Sequence, residues 1–190
     1  MGWKLAGIVI DKNFEKDLAG LFDLLDIAEF ELEKDSTFED EVFEILEPDI
    51  LSIGFFGNGT FFSTGVELMT NERLLINAST HHRIVAFYVN ETTSTYCFDY
   101  FSKGEYLRKK WISYSDKNID SSENFGEMLS VEKDENDDLN IILKLISSLL
   151  GKDFYEIEES EQMFRFVKIK PEKMDSSKNQ VKGFWKKLFK

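Results

Sequence analysis

The chain has 190 residues, 42% hydrophobic and 31% charged, a balance that supports one globular domain and excludes a disordered chain. Its formal net charge of −13 argues against nucleic acid as a partner, because phosphate contacts need Lys and Arg. Cys97 is the lone cysteine, which excludes an internal disulfide and a Cys-based zinc site within one chain, and no apolar run approaches the ~18 residues of a membrane span.

The first segment, "WKLAGIVID" (3–11), is apolar and β-branched and predicts a buried strand rather than a signal peptide, so a cytoplasmic location is expected. Asn13 can cap a following helix whose Phe14, Leu18, Leu21, Phe22 and Leu25 share one face, weakened by Gly20. "IAEFELEKD" alternates Ala28, Phe30 and Leu32 against Glu29, Glu31 and Glu33, the pattern of a half-exposed strand with an acidic outer side. "TFEDEVFEIL" predicts a short helical turn ended by Pro48. Two Phe-rich strands come next, "DILSIGFF" and "GTFFSTG", and "VELMTNERLLINAS" fits helix or strand. "HRIVAFYVN", "STYCFDYF" and "EYLRKKWISYS" predict a three-stranded meander with short connections. In its middle strand Tyr96, Phe98 and Tyr100 face one way, and Cys97, Asp99 and Phe101 the other.

From Asp116 to Asp138 the chain is polar and predicts a long surface loop. Asp137 or Asp138 can then cap a helix with Leu139, Ile142, Leu143, Ile146, Leu149 and Leu150 on one face and Gly151 as its left-handed terminator. "DFYEIE" and "MFRFVKIK" predict closing strands. The expected fold is α+β: a single domain over 1–170, with a mostly antiparallel sheet and two or three packed helices. A polar linker and a basic amphipathic C-terminal helix are expected over 171–190.

Candidate sites are few. "GFFGNGTFF" (54–62) has the glycine spacing of a phosphate-binding loop, but Thr60 stands where Lys is needed and the next residues are β-like, so it predicts a hairpin turn at Asn58-Gly59. Asp116, Asn118, Asp120 and Glu127 hold positions 1, 3, 5 and 12 of a calcium loop, but Ser121 replaces the turn glycine and Glu123 the apolar anchor. A solvated acidic loop is expected there, and whether it binds a cation is open. His81 and His82 are adjacent, so on an extended segment they point apart and do not readily share a metal. Asp11, at the end of the first strand, completes no phosphoryl-transfer motif. Neither catalytic, cofactor-binding nor metal-binding residues are assigned, and no cofactor is expected.

The strongest signal is charge asymmetry. Residues 168–190 hold eight Lys against Glu172 and Asp175, a balance of +6, which leaves −19 on residues 1–167. In the tail, Val181, Phe184, Trp185, Leu188 and Phe189 form one helical stripe, with Lys186 and Lys187 opposite. This interaction tail could meet the acidic body, a partner's groove or an anionic membrane surface. The functional expectation is a non-enzymatic binding protein, of the inhibitor or bacterial immunity type, acting on a basic protein partner. The alternatives are a hydrolase working near Asp11, His81 or His82, and a peripheral membrane protein attached through its tail. The oligomeric state is open.

Overall fold

A computed structural model describes residues 2–43, 46–115 and 118–169. Val181, Phe184, Trp185, Lys186, Lys187, Leu188 and Phe189 lie outside these described residues, as does Asp116.

The described residues build one nine-stranded, wholly antiparallel sheet, which bears out an α+β architecture. The strands are β1 (Lys4–Ile10), β2 (Phe30–Thr37), β3 (Ile50–Phe56), β4 (Gly59–Thr64), β5 (Arg83–Asn90), β6 (Thr95–Ser102), β7 (Glu105–Ser115), β8 (Asn118–Gly126) and β9 (Gln162–Lys168). Their order is β2-β9-β3-β4-β1-β5-β6-β7-β8. The predicted meander is β5-β6-β7, extended by β8. The β3-β4 hairpin pairs Phe56 with Gly59, so its two-residue loop is Gly57-Asn58, one position before the predicted Asn58-Gly59. Gly57 takes a φ of 55°, which glycine adopts without a Cβ penalty.

Six α-helices are present among the described residues, more than the two or three expected, because most are one or two turns long and leave little periodicity to read. They are α1 (Leu18–Leu24), α2 (Phe38–Val42), α3 (Val66–Met69), α4 (Glu72–Ala78), α5 (Ser130–Asp134) and α6 (Asp138–Leu150). None is long and apolar enough to cross a membrane. The cap of α1 is Asp17, whose side chain accepts the Gly20 N–H at 3.1 Å, not the predicted Asn13. Asn13 instead accepts the Glu15 N–H and donates to the Gly57 carbonyl, so it shapes a turn. The predicted cap and terminator of α6 are in place: Asp137 accepts the Asn140 N–H at 2.9 Å, and Gly151 has a φ of 64°.

Two further expectations are corrected. "DFYEIE" is not a strand; Asp153 caps a 3₁₀ turn over Phe154–Glu156 and sends Phe154 into the core. The predicted loop from Asp116 to Asp138 contains β8 and α5. Pairing with β7 supplies the hydrogen bonds that the polar side chains of β8 do not advertise.

Both faces of the sheet carry cores. On one, Leu5, Val9, Phe61, Phe87 and Phe98 meet α2, α6 and Phe154. On the other, Ala6, Ile8, Ile53, Phe62, Ile84 and Phe101 meet residues of α1, α3 and α4. The central strands β1, β3 and β4 are therefore buried along nearly their whole length; β1 and β3 are largely apolar, whereas β4 also buries Thr60, Ser63 and Thr64.

Candidate interaction surface

Cross-strand register places a row of side chains on the second face of the meander. Tyr88 on β5 stands opposite Cys97 on β6, Cys97 opposite Trp111 on β7, and Trp111 opposite Glu123 on β8. The neighbouring row runs Asp99, Lys109, Phe125. Of the helices on this side, α4 reaches β6 and β7. Beyond it, Tyr88, Cys97, Asp99, Lys109 and Trp111 remain partly exposed, and Glu123 and Phe125 are exposed. Cys97 and Trp111 belong to neither core cluster.

The polar groups of this surface are ordered. Tyr106 stacks on Phe101 at 4.7 Å and lies 5.4 Å from Phe125. Its hydroxyl donates to Asp99 Oδ1 at 2.6 Å. Lys109 pairs with Glu123 at 2.8 Å. Burial pushes the Asp99 carboxyl above its usual range, against the Tyr106 hydrogen bond and the Lys109 charge, which lower it. Burial, then the Asp99 hydrogen bond, drives the Tyr106 hydroxyl strongly upward. The Lys109–Glu123 hydrogen bond raises the Lys109 ammonium. Burial pushes the Cys97 thiol up to about 12, with Asp99 adding to the rise. A thiol so poorly ionised is a poor nucleophile. We expect iodoacetamide to alkylate Cys97 at pH 8 at least ~100-fold more slowly in the folded protein than in urea, as followed by mass spectrometry.

The other residues singled out in the sequence lie elsewhere. Asp11 closes β1 against β5: its carboxylate accepts the Arg83 N–H at 2.9 Å and Arg83 Nε at 2.7 Å. His82 Nδ1 is 3.8 Å from Asp11 Oδ1, and its ring meets Phe14 edge-on at 5.5 Å. Burial lowers the His82 imidazole in spite of Asp11. His81 is exposed. Just before the two histidines, the hydroxyls of Ser79 and Thr80 donate to the carbonyls of Ile76 and Asn77. The structure thus brings Asp11 and His82 together and ties Asp11 to Arg83 as a strand clasp. Asn118 and Asp120 lie on β8 itself, where an extended backbone cannot wrap a cation as a calcium loop does. Among the described residues no cluster of three His, Cys, Asp or Glu side chains could hold a metal.

Sequence reading did foresee that Cys97, Asp99 and Phe101 share a side. It missed that Lys109 and Trp111 join them, although the alternation in "EYLRKKWISYS" carries that signal. It also missed Tyr106, which alternation puts on the other side and only the register shift opposite Tyr100 and Phe101 brings round. No protein-family model, curated protein or solved structure matches the chain.

Proposed function

We propose that the protein is a non-enzymatic binding protein, of the inhibitor or immunity type, and that the meander face around Trp111 receives a basic protein. The observation that carries this reading is an ordered aromatic surface on strands whose other side is packed. Tyr and Trp are enriched among the residues that dominate protein–protein binding, because each brings large area with few rotors. Asp99 and Glu123 set two carboxylates against Lys109 on the same surface. The −19 carried by residues 1–167 would speed encounter with a cationic partner and disfavour acidic ones.

The test is affinity capture from native lysate at low and moderate salt, comparing wild type with Trp111→Ala. The expected result is retention of a basic protein by wild type, with affinity for that protein reduced about 30-fold by the substitution, as for a hot-spot side chain. Retention of no basic protein at either salt, or equal retention by both proteins, overturns the reading.

A further inference from the structure

A second feature lies at the opposite end of the same sheet face. The end of α1, the start of β2 and helices α3 and α4 enclose a groove of about 180 Å³. The groove is open to solvent on one side and its lining mixes polar and apolar side chains; its volume is comparable to that of a cavity that holds one aromatic ring, ~150 Å³. Leu25, Ile27 and Leu68 are among its lining residues, together with the acidic Asp26, Glu29 and Glu67. The three carboxylates are exposed. Val66, 46% exposed, stands next to Glu67 on α3 and extends the apolar area.

The chain leaves the sheet at this groove. Lys168, the last residue of β9, lines it and pairs with Glu29 at 2.8 Å. The Ile169 N–H donates to the Glu29 carbonyl at 2.7 Å. The C-terminal segment beyond this point has the complementary chemistry: residues 171–190 carry six Lys against Glu172 and Asp175, with the apolar stripe Val181, Phe184, Trp185, Leu188 and Phe189.

We propose that this groove binds the chain's own residues 171–190, with Phe184 or Trp185 in the cavity and Lys182, Lys186 and Lys187 over the carboxylates of Asp26, Glu29 and Glu67. Reach is no obstacle. The twelve residues from Ile169 to Val181 span up to ~40 Å when extended, and the groove begins where they start. The tether also supplies an effective concentration on the order of 1 mM, so even an intrinsically weak contact is mostly formed. A contact carried by exposed charges opens at high salt, where the screening length falls to ~3 Å at 1 M. This inference goes beyond the proposed function, because the groove and the Trp111 surface share no residue.

The test is zero-length carbodiimide cross-linking of the full chain, mapped by mass spectrometry on an equal mixture of ¹⁴N- and ¹⁵N-labelled protein. The expected products join Lys182, Lys186 or Lys187 to Asp26, Glu29 or Glu67 within one copy. Their yield should fall at least fivefold in 1 M NaCl and in Glu67→Lys, a change at an exposed position. Three results overturn the proposal: light, mixed and heavy products in the 1:2:1 ratio of links between copies, links only to carboxylates outside the groove, or an unchanged yield in Glu67→Lys. A fourth would do so as well: tail lysines that link to nothing but become protected from acetylation by phosphatidylserine vesicles, which would make the tail a membrane anchor.

Discussion

Replacing Glu132 with alanine will destabilise the protein by about 3–5 kcal/mol, measured by urea unfolding, because it strands a buried guanidinium. Arg108 and Glu132 have side chains only 5% and 1% exposed. Their contact is bidentate, with Arg108 Nε 2.9 Å from Glu132 Oε2 and Arg108 Nη2 2.6 Å from Glu132 Oε1. The remaining donors are also placed. Nη1 reaches the carbonyls of Phe125 and Gly126, and Nη2 reaches Asn124 Oδ1. Glu132 Oε2 accepts the Leu129 N–H at 2.8 Å. One ion pair thus anchors both the end of β8 and the short helix α5 to β7, which neither element could achieve with its own apolar surface. The double replacement Arg108→Met with Glu132→Leu should recover part of the loss, since it removes both buried charges together. Acid should act through the same pair. Burial raises the Glu132 carboxyl, but the Arg108 hydrogen bonds and charge and the Leu129 N–H hold it below its usual value. A group with a depressed folded pKa contributes stability above its unfolded pKa and loses it as pH falls through the folded value. Wild type should therefore lose this contribution below about pH 4.5, and Glu132→Gln should show a shallower acid limb.

Phe61→Ala should cost about 3–5 kcal/mol, again by urea unfolding with an unchanged dependence on denaturant. Phe61 is 1% exposed on the central strand β4. Its ring lies 6.1 Å from Phe38, 6.2 Å from Phe56, 5.7 Å from Phe87 and 6.3 Å from Phe154. These four come from α2, β3, β5 and the 3₁₀ turn, so one ring joins elements far apart in sequence. Truncation leaves a void whose walls are other large rings, and such walls collapse poorly. The chain's eighteen Phe are largely spent in this way. A cost below about 1 kcal/mol would mean that the site collapses and that the core is packed more loosely than these ring distances imply.

Elements with strong apolar periodicity were legible in the sequence: β1, β3 to β7 and α6. Their positions are dictated by what the core must bury, and the pattern of buried residues repeats that demand. Segments held by pairing or by capping were not. β8 carries exposed, polar side chains along nearly its whole length, and what makes it a strand is the register with β7 and the Arg108–Glu132 pair behind it. Phe154 looked like part of a strand because "DFYEIE" alternates, yet Asp153 caps a tight turn there. The candidate surface was half legible for a related reason. Alternation sorts Cys97, Asp99 and Phe101 to one side, but only register across β5 to β8 sets Tyr88, Trp111 and Glu123 beside them. A single sequence does not state which strands are neighbours.

The central claim is that the meander face around Trp111 is the working surface of this protein. Hydrogen exchange of the full chain, alone and with a basic protein captured on it from lysate, tests it most directly. The claim predicts slowed exchange in β6 and β7, near Cys97, Lys109 and Trp111, with little change in α6 on the opposite face. Protection confined to α6, or to the Asp11–Arg83 end of the sheet, would contradict it.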